Sequence, residues 1–311
     1  MLKTIFQAKQ LILLSGKGGT GKTSLSAAFA HLAFESEDPI PAVLVDADVD
    51  AANLGLVLQP DGAQQNKFWG GAIAQIDPLN CNNCGRCAQV CRYDAVLPVE
   101  DASLYSIDPL ACDGCAACVY ACPQDAIRMV PQQEGLWFHS HSRYGDLFHA
   151  ELFPGKENSG KLVTRIKQQA RLTAEDKHIP LILIDGPPGI GCPVISASAG
   201  ADLALMVTEP SVAGIHDLKR MMTTLQHFRI PALICINKAD LYPPGAQEIC
   251  NYAQEQGVEL VTSIPFDTAI TRAMLHAQPV TAYAPDSAAA QAIRQLWQTM
   301  AKHLKSMEGN E

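Results

Sequence analysis

The stretch LILLSGKGGTGKT, Leu11 to Thr23, decides how the rest of the chain is read. Four apolar residues without polar alternation, Leu11 to Leu14, predict a strand buried on both faces. They run into Gly16-Lys17-Gly18-Gly19-Thr20-Gly21-Lys22-Thr23, which matches G-x-x-x-x-G-K-[ST]. A helical pattern follows over Lys22–Phe34, so the motif sits between strand and helix, the context in which it cradles phosphate. Glycines there let backbone N–H groups and the helix N-terminus wrap a phosphate chain. Lys22 reaches the outer phosphates, and Thr23 offers its hydroxyl to Mg²⁺.

The same grammar recurs along the chain. Residues 43–45, 181–184, 203–207 and 232–236 (VLV, LILI, LALMV, ALICI) are short continuous apolar runs followed by Asp, Thr or Asn. Helical patterns are predicted over Gly214–Phe228, Gly245–Gln256 and Ser287–Lys305. Together they imply an α/β fold with a doubly wound, mainly parallel sheet, whose ligands bind at the carboxyl ends of the strands.

One segment breaks that grammar and contains an internal repeat. IDPLNCNNCGRCAQVCRYDAV starts at Ile76 and IDPLACDGCAACVYACPQDAI at Ile107, an offset of 31. The repeat contains two runs, Cys81-x₂-Cys84-x₂-Cys87-x₃-Cys91 and Cys112-x₂-Cys115-x₂-Cys118-x₃-Cys122-Pro123. This is the bacterial two-cluster ferredoxin spacing, in which three cysteines of a run ligate one cubane and the fourth ligates the other. Cluster 1 is expected on Cys81, Cys84, Cys87 and Cys122, and cluster 2 on Cys112, Cys115, Cys118 and Cys91. Paired zinc knuckles are the rival reading, but they require no fourth cysteine in each run and no Cys-Pro ending. Two such units cannot each form a core and should pack as one inserted α+β ferredoxin domain. The expected boundaries are 1–62 for the first part of the nucleotide-binding domain, 63–134 for the insert and 135–311 for the second part.

Composition narrows the function. In 311 residues the net charge is −9, so the phosphate attraction behind non-specific nucleic-acid binding is missing, and no nucleic-acid partner is expected. No apolar run approaches the length of a membrane span. Eight of the eleven cysteines lie between Cys81 and Cys122, which points to metal ligation in a reducing, cytoplasmic setting rather than to disulfides. From Phe68 to Pro131 there are seven acidic and three basic residues, so a redox partner of the insert should present a basic patch.

Lys17 ahead of Lys22 makes the loop a deviant one, KGGTGKT, and with VLVDADVD (Val43–Asp50) and LILIDGPPGIG (Leu181–Gly191) the chain resembles the MinD/ParA/nitrogenase-iron-protein ATPases. With the cysteine runs, it looks like a member of that P-loop NTPase family carrying an inserted two-[4Fe-4S] ferredoxin domain, related to Mrp-type ATPases. The resemblance implies ATP/ADP and Mg²⁺ held by Gly16 to Thr23 and Ser24, with Lys17 reaching the nucleotide of a partner copy in a nucleotide-dependent homodimer. It further implies Mg²⁺ on Thr23 and Asp46, an attacking water positioned by Asp48, and Asp185 as the Walker B carboxylate. The catalytic set is then Lys17, Lys22, Asp48 and Asp185. Asn237 and Lys238, in Asn237-Lys238-Ala239-Asp240, would sit at the purine, as would Pro265. N-K-x-D also reads guanine in G proteins, and the deviant lysine favours adenine.

Three weaker signals remain. Cys192, seven residues after Asp185, reads as a buried structural thiol, with ligation of a dimer-bridging cluster as the alternative. His139 and His141 share one face of a strand in a hairpin that turns at Tyr144-Gly145-Asp146, and an ordinary polar face is the simpler reading than a metal site. The C-terminal stretch Ala290–Met307 has an apolar face that should dock on the fold rather than bind membrane, because its polar face carries few cations.

The leading expectation is an ATP-hydrolysing iron–sulfur protein that couples nucleotide-driven dimerisation to electron transfer towards a partner protein. An assembly ATPase for iron–sulfur or other metal cofactors, and a MinD-like spatial organiser with redox-sensing clusters, stay open as alternatives.

Overall fold

The computed structural model describes residues 6–99, 104–156 and 159–308. The chain divides into two compact units, Met1–Asn66 with Leu136–Glu311, and Lys67–Gly135. The strands are β1 (Lys9–Ser15), β2 (Ala42–Asp46), β3 (Asp61–Ile76), β4 (Val96–Val99), β5 (Leu104–Ile107), β6 (Ile127–Ser142), β7 (Gly145–Leu152), β8 (Leu181–Pro188), β9 (Leu203–Thr208), β10 (Ala232–Asn237) and β11 (Leu260–Ile264). The helices are α1 (Lys22–Glu35), α2 (Leu54–Leu58), α3 (Arg86–Val90), α4 (Ala117–Ala121), α5 (Ser159–Lys177), α6 (Cys192–Ser198), α7 (Val212–His227), α8 (Pro243–Gln256), α9 (Thr268–Leu275), α10 (Val280–Tyr283) and α11 (Ala288–Glu308).

The main sheet has the order β11-β10-β9-β1-β8-β2-β7-β6-β3, and its strands from β11 to β7 all pair in parallel. β1 lies at its centre, with Leu11 to Leu14 fully buried because helices cover both faces. α1 is built largely of small residues and is buried nearly all round, with Phe29 5.1 Å from the ring of Trp297 on α11. α11 presses Ile293, Leu296, Trp297, Met300 and Leu304 into that same core. Its apolar face is therefore occupied within the fold, and no helix among the described residues is long and apolar enough to cross a membrane.

Three features depart from the sequence reading. β8 runs on past Asp185 to Pro188, because Ser15 of β1 still pairs with Pro188 after a register shift. β11 was not foreseen: its residues are only partly buried at an edge, so the apolar run is short. α5 was also missed. Its mean composition is polar, yet Leu162, Val163, Ile166, Ala170 and Ala174 form a buried stripe with helical spacing.

In the smaller unit, β4 and β5 pair antiparallel, from Val96 opposite Ile107 to Val99 opposite Leu104. Ala74, Cys87, Val96, Cys118 and Ile127 form its buried centre. The repeat is visible bond by bond. Asp77 Oδ1 accepts the Leu79 N–H at 3.0 Å, and Asp108 Oδ1 the Leu110 N–H at 2.9 Å. α3 and α4 each start after a left-handed residue, Gly85 in one copy and Ala116 in the other.

Trp297→Ala removes the largest side chain that α11 contributes to the core. It should lower stability by about 3–5 kcal/mol, read as a fall in the midpoint of denaturant unfolding of nucleotide-free protein; a change under about 1 kcal/mol would mean that α11 is dispensable to the core.

Candidate functional site

The loop after β1 opens onto a pocket lined by Gly18 to Ser24, Asp48, Asn237, Lys238, Pro265, Phe266 and Met274. Two glycines in the loop are required by close packing. A Cβ on Gly16 would lie 2.1 Å from Asp217 Cβ. Gly21 has φ +91°, and a Cβ there would lie 2.3 Å from Asn237 Nδ2. Asn237, buried at the end of β10, donates from Nδ2 to the Thr20 carbonyl at 2.7 Å and accepts the Lys238 N–H on Oδ1 at 3.0 Å. In this structure its amide braces the phosphate loop, while Pro265 and Phe266 supply the apolar side of the pocket.

Lys22 opens α1 from the loop and is buried. Its Nζ lies 3.9 Å from Asp185 Oδ1, which also accepts the Ser26 hydroxyl at 3.0 Å. Asp185 Oδ2 and the Thr20 hydroxyl are buried with no hydrogen-bond partner among the described residues. A buried carboxylate oxygen left open beside a lysine fits Mg²⁺ and its retained waters, and Thr23 lines the adjoining pocket.

Asp46 sits directly opposite Asp185 in the β2–β8 register. Its oxygens accept the N–H groups of Asp48, at 3.1 Å, and Leu54, at 2.9 Å. Asp46 was expected on the metal side; here it holds the Asp48–Leu54 turn, and the open oxygen belongs to Asp185. Burial and the Asp185 charge push the Asp46 carboxyl up. Asp48, half-buried at the pocket wall, is also pushed up, by burial and by Asp185, with Lys22 opposing.

Lys17 does not face the pocket. Its Nζ is ion-paired with Glu209, which also holds Lys238 Nζ at 3.3 Å, and Lys238 Nζ donates in turn to the Gly19 carbonyl at 2.9 Å. Burial raises the Glu209 carboxyl, but the Lys17 and Lys238 ammonium groups outweigh it and hold the group below its ordinary value. Glu209 was not singled out from the sequence; no motif marks it, since its role follows from the fold placing the end of β9 beside the loop.

The eight cysteines of the repeat converge in two groups. One pocket is lined by Cys81, Cys84, Cys87 and Cys122, the other by Cys112, Cys115, Cys118 and Cys91. The crossing cysteines match: Cys91 Sγ accepts the Ala95 N–H at 3.4 Å, and Cys122 Sγ the Ala126 N–H at 3.3 Å. Burial pushes the Cys87 and Cys118 thiols up, so thiolates there require a compensating cation.

Cys192 corrects the sequence reading: it is exposed, not buried. It takes the first position of α6, whose inward face consists of Val194, Ala197 and Ser198. His139 and His141 do share a face, and the structure adds Asp146, whose Oδ1 lies 3.1 Å from His139 Nε2 and 2.6 Å from His141 Nδ1.

A phosphate-cradling loop, its buried lysine and the carboxylates at two neighbouring strand ends define a P-loop nucleotide-binding protein. The chain belongs to the CobQ/CobB/MinD/ParA family of nucleotide-binding domains, whose model matches residues 11–280. It is 33% identical to an uncharacterized protein of Methanocaldococcus jannaschii, over 94% of this chain and 96% of that one. An iron-sulfur cluster carrier protein of Aquifex aeolicus is 24% identical over 42% of this chain and 39% of its own. Among solved structures, the septum site-determining protein MinD of Pyrococcus horikoshii, complexed with Mg-ADP, superposes with a TM-score of 0.58 at 20% identity, covering 94% of this chain and 96% of that one.

Two outcomes test this geometry. Lys22→Ala removes the ammonium 3.9 Å from Asp185 at the pocket wall. It should weaken binding of a fluorescent ATP analogue by about 30-fold or more, and unchanged affinity would contradict the site. Because the Glu209 carboxyl is depressed, its contribution to stability is present above the ordinary glutamate pKa and lost as pH falls through its folded value. Unfolding midpoints measured across the acid range should show a component of the pH slope that disappears in Glu209→Gln.

Proposed function

We propose that the protein is an ATP-binding and ATP-hydrolysing iron–sulfur protein in which nucleotide-driven dimerisation is coupled to electron transfer from two [4Fe-4S] clusters to a partner protein. The observation that carries this reading is the crossed grouping of the cysteines, with each four-cysteine pocket taking its fourth member from the other repeat. That is the ligand pattern of two-cluster ferredoxins. Two independent zinc knuckles would have no reason to exchange ligands.

When bound, the clusters supply one-electron carriers. The chain's own residues do the remaining work. Lys22, Thr23 and Asp185 hold the nucleotide phosphates and Mg²⁺, and Asp48 orients the attacking water. Lys17 leaves Glu209 to reach the nucleotide of a second copy. Coupling to the insert has a route along the chain. The Asp48–Leu54 turn held by Asp46 leads into α2, which lines the pocket through Leu56 and Val57, and only Gln59 and Pro60 separate α2 from β3. A γ-phosphate that orders this turn biases the segment leading into β3.

A second reading, a carrier that hands clusters or metal to an acceptor, is favoured by the exposure of Cys84 and Cys115 and by the Aquifex aeolicus relative.

Anaerobically purified protein should contain about eight irons per chain; zinc with little iron would end the cluster assignment. Lys17→Ala should retain ATP binding but lose ATP-dependent dimerisation, measured by light scattering. Affinity for an ATP analogue should differ between oxidised and dithionite-reduced protein by about 5–150-fold, and cluster potentials should shift reciprocally on analogue binding. Identical values in all states, together with iron transfer to an apo-acceptor, would favour the carrier reading instead.

A further inference from the structure

The hairpin of β6 and β7 carries a side-chain constellation that the nucleotide chemistry does not use. His139 Nε2 and His141 Nδ1 both point at one oxygen of Asp146, Oδ1, at 3.1 and 2.6 Å. One ligand atom from each of the three side chains lies within 4.8 Å of the others. The second carboxylate oxygen is engaged separately, accepting a hydrogen bond from Lys177 Nζ at 2.5 Å. The carboxylate is thus oriented from behind, and its free face is turned to the two imidazoles. The His139 ring is fixed as well, stacked on Phe148 with centroids 4.4 Å apart and planes 7° from parallel.

We infer that His139, His141 and Asp146 form a binding site for a borderline first-row dication of the Zn²⁺ type, open on one side to solvent. Two imidazole nitrogens and one carboxylate oxygen are the donor set such ions select. Metal–ligand bonds of about 2.0–2.2 Å in tetrahedral geometry put donor atoms about 3.3–3.6 Å apart. His139 Nε2 and Asp146 Oδ1, at 3.1 Å, already lie near that spacing, and an outward rotation of the His141 ring widens its 2.6 Å separation from the same oxygen. His141 is free to make it, since its side chain is 64% exposed, and that exposure also provides the entry path. Asp146 is almost fully buried, so the anionic ligand is shielded from water while the position opposite it stays open to a water molecule or another group. The Lys177 charge partly offsets that of Asp146, which makes the site a moderate binder rather than a structural centre on which folding depends. The strand-face alternation that places residues 139 and 141 together is legible in the sequence; the third ligand is not, because it comes from the start of β7, across the turn.

The test is titration of the full-length chain, with its cysteine module loaded, by ZnCl₂ under anaerobic conditions, followed by calorimetry and zinc-edge X-ray absorption. The expected result is one zinc per chain, with a nitrogen/oxygen shell at about 2.0–2.1 Å, imidazole scattering and no sulfur at about 2.3 Å. His141→Ala, a change at an exposed position, should weaken zinc binding at least about 10-fold while leaving ATP hydrolysis unchanged. His139→Ala should weaken it similarly. A sulfur shell, unchanged zinc binding in His141→Ala, or no binding below millimolar zinc would each overturn the site and leave the three residues as a hydrogen-bonded cluster.

Discussion

Two buried carboxylates face each other across the β2–β8 pair, and the nucleotide-binding unit is organised around them. Asp46 and Asp185 are both buried and in direct register, and burial together with the Asp185 charge pushes the Asp46 carboxyl up. Lys22 supplies one charge, and backbone N–H groups satisfy Asp46 from the turn that follows. One oxygen of Asp185 remains open. This arrangement holds positive charge and an unsatisfied acceptor beside a loop shaped for phosphates. The parallel sheet is what makes it possible, because only neighbouring parallel strands bring two strand ends, and the helix that follows β1, to one edge.

The loop itself is held from the far side of the sequence. Asn237 and Lys238, at the end of β10, bond to the carbonyls of Thr20 and Gly19, and Glu209, at the end of β9, gathers Lys17 and Lys238. Two strand ends therefore converge on eight residues of loop. Lys17 is kept close but turned away from the pocket in the single chain.

Much of this was legible in the sequence, for identifiable reasons. Continuous apolar runs such as Leu11–Leu14 and Leu181–Ile184 admit one reading once a glycine loop or an acidic residue ends them. The cysteine spacing likewise implied the exchange of Cys91 and Cys122, which the two pockets display as a grouping of side chains. The losses were of two kinds. α5 and β11 are amphipathic or peripheral, so average hydropathy hid a pattern that residue-by-residue spacing contains. Glu209, the exposure of Cys192 and the share of Asp146 in the His139/His141 face depend on contacts between segments far apart in sequence or on the side from which a turn closes, and short motifs carry no such information.

The exchange of Cys91 and Cys122 has a consequence for how the smaller unit can fail. Neither repeat closes a pocket by itself; each completes the other's, like two hooks clasped together. Damage confined to one half, a lost strand or an oxidised thiol, is shared at once by the other. The pair therefore behaves as one indivisible element, whatever the independence of its two sequences suggests.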